Sequence, residues 1–299
     1  MKYLNLFFIL SIAIVLLNAC QSNSTKKVES DDAIDMDVDV DSKDAEKTVK
    51  KVFFNLPSPV ELTQTILSSD QPFNTELLNS VDNISNYTSS ASLALNFGVY
   101  GADLCYCRVY EQLQESISYL SVIRRISDKL QIPEDEGAET INRIEESLEN
   151  RDSIFQIIAD TYAGADGYLK ENERDATAAY ILIGGWVEGM YFATNIASNN
   201  KTNTKVINRI AEQKYSLGNL ISLISDYKNN PIIGKIVPIL YDLQKVYDEV
   251  NITHEKPVVV TDSEDNVTTI DNKAKIDISV AQIEEITRMI NEIRSIIIS

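Results

Sequence analysis

Three carboxylates lie inside apolar segments of the chain and are the residues best suited to chemistry. Asp103, Asp160 and Glu188 each stand among glycine, alanine, aromatic and aliphatic residues. A carboxylate buried without a partner is energetically costly, so each must be paired, hydrogen-bonded or protonated. Two such acids in one cleft, one of them with a raised pKa, would suit the hydrolysis of glycans.

A structural role is the alternative interpretation of these acids. They could face solvent or form ion pairs, and the candidate partners are Arg108, Arg124, Arg125 and Arg174. No spacing in the sequence fixes a distance between any two of the acids. The structural interpretation is therefore favoured, and Glu188, Asp103 and Asp160 remain candidates without an assigned catalytic role.

Other catalytic and metal-binding patterns are missing from the sequence. His254 is the only histidine. A Ser-His-Asp triad would depend on this one residue, and a histidine-rich zinc site would lack its other ligands. Cys105 and Cys107 stand two apart on a predicted helix, which is poor geometry for a disulfide and favours two small core residues. We predict no metal and no cofactor, and we favour a non-enzymatic protein over an enzyme.

The first twenty residues have the pattern of a secretory signal peptide. A basic start precedes an apolar run from Leu4 to Leu17, which is shorter than the roughly 20 residues that span a bilayer. The run ends in Leu17-Asn18-Ala19-Cys20, which resembles the lipobox of bacterial lipoproteins. That resemblance implies that residues 1–19 are removed and that Cys20 is acylated.

Acylation of Cys20 would make the membrane a partner of this protein through its acyl chains. Gln21 follows the cysteine, whereas aspartate at that position is the usual signal for retention in the inner membrane. The resemblance therefore implies a cell-envelope protein anchored to the outer membrane. Its periplasmic and surface faces both remain open.

An acidic segment, residues 20–51, separates the predicted anchor from the rest of the chain. Between Glu29 and Glu46 it holds nine acids, one lysine and no aromatic residue, which predicts a disordered tether. Its acids approach the spacing of a calcium loop, but Val40 stands where the turn needs glycine. The formal charge of the whole chain is −18, so we predict no nucleic-acid partner.

Residues 52–299 are predicted to form one all-α domain, either a multi-helix bundle or stacked helical hairpins. Val258–Val260 and Val267–Ile270 could pair as a small β-hairpin near residues 257–271. The predicted helices are Pro59–Leu67, Asn74–Ile84, Asn86–Gln131 bent near Gly98 and Gly101, Pro133–Leu148, Asp152–Leu169, Asp175–Ala197, Asn203–Tyr227 and Pro231–Val250 kinked at Pro238.

The last predicted helix has the clearest local signals. Ser279 and Gln282 form a capping box at its start. Isoleucines then recur every three or four residues, at Ile283, Ile286, Ile290, Ile293 and Ile297. This stripe predicts a seam buried in the core, and a partner surface is the alternative.

Two glycine-containing segments, residues 94–103 and 183–191, each precede an amphipathic helix. Glycine inside a helix costs about 1 kcal/mol relative to alanine, so its repeated use predicts close contact between helices. The shared pattern could also reflect an internal duplication.

Three segments of the body, 55–59, 96–104 and 184–189, resemble those of an uncharacterised group of all-helical Gram-negative envelope lipoproteins. That resemblance implies a shared fold and anchor but brings no known activity. The sequence therefore predicts a non-enzymatic binding or scaffold protein of the envelope, with an envelope protein or a glycan as partner. The alternative is an envelope glycan hydrolase that uses buried carboxylates.

Overall fold

The structure is a computed structural model. It describes residues 62, 71–132, 139–150, 152–157, 175–254, 258–262, 267–271 and 274–299. The predicted signal peptide, Cys20 and the acidic tether lie outside these residues, and so does the first predicted helix apart from Leu62.

Helices make up most of the described chain, so the predicted all-α class is confirmed. Two short 3₁₀ helices, η1 and η2, precede the first α-helix, and residues 152–157 are also helical. The helices are η1 (Thr75–Leu77), η2 (Val81–Asn86), α1 (Ser90–Val109), α2 (Leu113–Lys129), α3 (Glu139–Glu146), α4 (Asp175–Asn199), α5 (Thr204–Glu212), α6 (Lys214–Ser225), α7 (Ile233–Asp248) and α8 (Val280–Ile298).

The predicted small hairpin is present between α7 and α8. Strands β2 (Val258–Asp262) and β3 (Val267–Asp271) pair antiparallel with Val260 opposite Thr269. A second ladder, β1 (Asn251–His254) with β4 (Ala274–Asp277), was not predicted. Among the described strands, each ladder has two strands and no third neighbour.

Helices α1 and α4 run parallel and meet backbone to backbone. A Cβ atom on Gly98 would overlap the carbonyl oxygen of Ile181 and lie 2.6 Å from the Gly185 nitrogen. A Cβ on Gly184 would overlap the Leu95 carbonyl in the same way. Only glycine permits so close an approach, so the close contact predicted from these glycines is confirmed.

The isoleucine stripe of α8 lies in the core. Ile286, Ile290 and Ile293 are fully buried, and the two end members are also buried. The capping box is formed as predicted: Ser279 Oγ accepts from the Gln282 backbone N–H at 3.2 Å, and Gln282 Oε1 accepts from the Ser279 N–H at 2.8 Å. Burial of the stripe favours the core interpretation over the partner surface.

The prediction of one helix over residues 86–131 is wrong. α1 continues through Gly98 to Val109, and the chain then reverses before α2 begins at Leu113. Glu111 at the reversal has φ 58°, a left-handed conformation that a glutamate rarely adopts. The helix also has no break near Gly98 and Gly101, where a bend was predicted. Gly98 instead allows the close contact with α4.

Two other predicted helices are divided because tertiary contacts use groups at the breaks. The predicted helix 203–227 splits into α5 and α6 at Gln213, whose side chain accepts from Trp186 Nε1 at 3.0 Å. The predicted helix 74–84 becomes η1 and η2. Between them, the carbonyls of Asn79 and Ser80 accept hydrogen bonds from tyrosine side chains at 2.9 and 2.8 Å.

None of the helices in the described ranges has both the length and the apolar character needed to cross a bilayer.

We expect Gly98→Ala to destabilise the fold, because its Cβ would overlap backbone atoms of α4 that no side-chain rotation can move. The loss in the free energy of unfolding should be about 3 kcal/mol, at the upper end for overpacking. Gly218→Ala is the matched control, since its Cβ would meet only Gln244 Nε2 at 3.7 Å. It should gain up to about 1 kcal/mol from helix propensity. Urea unfolding measures both, and equal stability of the two variants would contradict the backbone contact.

Candidate functional site

Glu188 of α4 and Arg294 of α8 form an ion pair inside the helical core. The two helices run antiparallel here, and the guanidinium meets the carboxylate with two parallel bonds. Arg294 Nε donates to Glu188 Oε2 and Nη2 donates to Oε1, both at 2.7 Å. The Glu188 side chain is 0% exposed and that of Arg294 is 10% exposed. Such a bidentate pair is among the strongest polar contacts available to a protein.

Arg294 makes two further contacts that complete its surroundings. Nη2 also donates to the Leu77 carbonyl of η1 at 3.0 Å. The guanidinium carbon lies 4.0 Å from the centre of the Tyr191 ring, which is the geometry of a cation–π contact. The arginine therefore joins η1, α4 and α8, and its donors are directed at acceptors from two of these elements.

Asp103 of α1 is the third ionisable residue of this cluster and is fully buried. Among the described residues, no donor meets full hydrogen-bond geometry with either carboxyl oxygen of Asp103, but the Glu188 carboxyl and the Asn79 backbone lie close enough to interact with them. Burial and the nearby charge of Glu188 raise the pKa of Asp103 well above its ordinary value, and Arg294 only partly opposes this. These effects favour the neutral form of Asp103.

Burial also raises the pKa of Glu188, and Arg294 opposes that rise through its charge and hydrogen bonds. The two-bonded geometry fits a carboxylate facing a guanidinium, because every oxygen of Glu188 accepts. The cluster thus holds one compensated ion pair and one acid whose neutral form is favoured by burial.

A network of amides and tyrosines adjoins the charged cluster. Asn96 Nδ2 donates to the Ile297 carbonyl at 2.9 Å, which ties α1 to the end of α8. Asn79 Nδ2 donates to Tyr87 Oη at 3.0 Å, and Tyr119 Oη donates to the Asn79 carbonyl at 2.9 Å. These bonds fix the η1–η2 segment over the cluster and close it from solvent.

The structure places two of the three candidate carboxylates, and neither of these lies in an open cleft. Asp103 and Glu188 come together, but both are 0% exposed. Asp160 lies outside the described residues. Of the arginines considered as partners, Arg124 pairs at the surface with Glu145 at 3.0 Å, and Arg174 also lies outside the described residues.

The sequence analysis missed Arg294, although the pattern of α8 contains a signal for it. Ile286, Ile290 and Arg294 are spaced by four residues, so the arginine occupies a position on the apolar face of the helix. An arginine on a buried face requires a carboxylate partner. That requirement could have paired Arg294 with one of the apolar-segment acids, but not with Glu188 in particular.

The two cysteines of α1 are free and buried. Burial raises the pKa of the Cys105 thiol to about 12 and also raises that of Cys107. Since the thiolate is the reactive form, both side chains are poor nucleophiles at neutral pH. Within the described residues, no three or more His, Cys, Asp and Glu side chains group as a metal site would require.

A groove with a volume of about 280 Å³ lies at the ends of α4 and α8, and neither Glu188 nor Asp103 lines it. Its walls are mainly aliphatic, from Ile207, Ile278 and Val280. Lys201 and Glu284 form an ion pair at 2.9 Å beside these residues. The groove is therefore separate from the buried carboxylates.

Comparison of the chain with models of protein families, with curated proteins and with solved structures finds no match. The resemblance to helical envelope lipoproteins therefore stays a prediction.

We expect Glu188→Gln to cost about 3–5 kcal/mol in the free energy of unfolding, because the guanidinium of Arg294 would stay buried without its counter-charge. The double variant Glu188→Leu with Arg294→Met removes both charges and should be more stable than Glu188→Gln. Glu292→Gln, at an exposed ion pair of the same helix, should change stability by less than about 1 kcal/mol. Chemical denaturation measures all three. A Glu188→Gln protein as stable as the Glu292→Gln protein would contradict a buried ion pair.

We expect Asp103→Asn to make the protein less sensitive to rising pH. The folded protein holds the Asp103 proton above the ordinary aspartate pKa of about 3.9, because burial raises that pKa. The contribution of Asp103 to the free energy of unfolding is therefore fully present below pH 4, and it is lost as pH rises through the pKa of Asp103 in the folded protein. The advantage of Asp103→Asn over wild type should therefore grow above pH 4, by at most about 1.4 kcal/mol per pH unit.

Urea unfolding from pH 4 to pH 8 measures this difference for Asp103→Asn. Asp128→Asn, at an exposed aspartate of α2, is the matched control and should stay within about 0.5 kcal/mol of wild type. An Asp103→Asn curve that remains parallel to wild type over the whole range would show that Asp103 is not protonated in the fold.

Proposed function

We propose that this protein is a lipid-anchored protein of the bacterial cell envelope with a non-enzymatic binding or scaffold role. The anchor is supported by Leu17-Asn18-Ala19-Cys20, which combines an apolar run with a lipobox-like end. Gln21 after the cysteine supports the outer membrane as its destination. The segment that follows is acidic and suits a spacer between the membrane and the helical body.

The state of Glu188 is the observation that most supports a binding role. A glycan hydrolase needs a carboxylic acid and a carboxylate that reach the substrate in an open cleft. Glu188 is instead fully buried, with both oxygens bonded to Arg294. Asp103 beside it is equally inaccessible. The two candidate acids of the described chain are therefore used to build the core.

The partners that fit this role are the membrane, through acyl chains on Cys20, and an envelope protein or glycan bound by the body. The formal charge of −18 repels phosphate backbones and anionic lipid headgroups alike. Nucleic acid is therefore no part of the proposal. The acyl chains, rather than a basic surface, supply the membrane attachment.

We expect metabolic labelling with a palmitate analogue to mark the wild-type protein and to leave Cys20→Ala unmarked. Without the acylated cysteine, the variant should also move from the membrane fraction to the soluble fraction. Cys105→Ala is the matched control, since that thiol is buried in the core, and it should be labelled like wild type. Labelling of Cys20→Ala, or loss of labelling in Cys105→Ala alone, would contradict the proposed anchor.

A separate experiment tests the proposed binding role against the hydrolase alternative. Purified full-length protein should leave peptidoglycan and envelope polysaccharide uncleaved, while crosslinking in intact cells should capture it with an envelope partner. Cleavage by wild type, lost in a Glu188→Gln variant whose circular dichroism shows it folded, would establish the hydrolase instead.

A further inference from the structure

Asp103 and Glu188, called the acid pair below, face a single guanidinium in the core. Arg294 directs Nε and Nη2 at Glu188, and among the described residues no donor meets full hydrogen-bond geometry with Asp103. Burial and the charge of Glu188 raise the pKa of Asp103, and the Asn79 backbone opposes this only weakly. One proton on the acid pair balances the guanidinium, and loss of that proton leaves one buried negative charge in excess.

The other ionisable groups around the acid pair keep one charge state between pH 5 and pH 8. The phenols and thiols among them are Tyr87, Tyr100, Tyr119, Tyr191, Cys105 and Cys107. Burial raises the pKa of each above its ordinary value, so all of them stay neutral. Arg294 stays cationic, because an arginine side chain does not lose its proton in proteins. Of these described groups, only the acid pair can therefore change its charge in that range.

The η1–η2 segment, residues 75–86, is joined to this cluster by polar contacts. The Leu77 carbonyl accepts from Arg294 Nη2 at 3.0 Å, and the Asn79 and Ser80 carbonyls accept from tyrosine side chains. Only Asn79 and Ile84 of the segment are buried. A segment with so few buried apolar side chains can open while the rest of a protein stays folded.

The guanidinium of Arg294 couples this segment to the charge of the acid pair. Its Nη2 donates both to Glu188 Oε1 at 2.7 Å and to the Leu77 carbonyl at 3.0 Å. An ionised Asp103 would compete with the Leu77 carbonyl for the same cation. Opening of the segment would also admit water, which solvates an ionised carboxylate that the core does not. Loss of the proton therefore favours the open segment, and retention of the proton favours the closed one.

We propose that the η1–η2 segment is a pH-sensitive cover, which is closed while the acid pair holds a proton and opens when that proton is lost. The closed form binds the proton more tightly than the open form does. Its stability is therefore fully present at low pH and is lost as pH rises through the pKa of the acid pair in the closed protein. Arg294 carries the coupling, because it bonds to both Glu188 and Leu77. The inference does not depend on the proposed anchor or on the binding role.

Amide hydrogen exchange with millisecond mixing tests the cover in the full-length protein in detergent micelles. The exchange rate of the segment at each pH is divided into the rate of an unstructured chain at that pH, which gives a protection factor. Leu77, Leu78 and Asn83 report closure, because their backbone N–H groups are hydrogen-bonded. We expect the protection factor to fall at least about tenfold from pH 5 to pH 8, since loss of one proton changes an equilibrium constant by up to about tenfold per pH unit.

Three variants make the test specific to the acid pair. Asp103→Asn removes the titrating group and should keep the protection factor of the segment constant from pH 5 to pH 8. Asp128→Asn, at an exposed aspartate of α2, is the matched control and should show the wild-type fall. Tyr119→Phe removes the hydrogen bond to the Asn79 carbonyl, so it should lower protection at every pH and keep the wild-type pH dependence. It tests the coupling even if Asp103→Asn does not fold.

Trp186 reports whether the body of the protein stays folded. It is the only tryptophan and stands two residues before Glu188, so it points to the opposite side of α4. There its Nε1 donates to Gln213 at 3.0 Å. Its emission, and the protection of α7, should stay constant from pH 5 to pH 8.

Three results would overturn the proposal. A wild-type protection factor that is constant over the range would mean that the segment does not respond to pH. An equal fall in Asp103→Asn would place the titrating group elsewhere. A parallel loss of protection in α7, with a change in Trp186 emission, would mean global unfolding instead of a local opening. Each result leaves the labelling of Cys20 and the capture of an envelope partner unaffected, so the cover and the proposed function fail separately.

Discussion

The rest of this structure depends on the compensation of a buried guanidinium. Removing a carboxylate and a guanidinium from water costs several kcal/mol per ion, so the pair persists only if its hydrogen-bonding capacity is used. Glu188 and Arg294 meet through two bonds of 2.7 Å, and Arg294 also contacts the Leu77 carbonyl and the Tyr191 ring. Because these contacts come from η1, α4 and α8, satisfying one charge fixes the mutual position of three elements.

The contact between α1 and α4 determines which other groups share that environment. Gly98 and Gly184 allow the two backbones to touch, and this brings Asp103 of α1 beside the ion pair. With only one guanidinium for two carboxyls, the second acid is stabilised in its neutral form, since burial and Glu188 both raise its pKa. Asp103 and Glu188, two of the residues that looked suited to acid–base chemistry, therefore lie inside the core.

Because Asp103 and Glu188 are buried, they are not accessible to a ligand from solvent. The glycan-hydrolase interpretation required accessible acids, and the described ones are enclosed by the η1–η2 segment and its tyrosine hydrogen bonds. Between α7 and α8 the described chain also forms two short antiparallel ladders. The burial of Asp103 and Glu188 is thus the feature that supports the proposed binding role.

Local patterns in the sequence determined the helical class, the capping box at Ser279, the buried isoleucine stripe and the hairpin of β2 and β3, because each depends on residues close together in the chain. The glycines of the two similar helices likewise predicted close packing. Only the tertiary structure decided that Glu188 pairs with Arg294, 106 residues away, and that helices break at Glu111 and Gln213. Those outcomes depend on which distant groups compete for the same hydrogen bonds, and sequence spacing carries no measure of that competition.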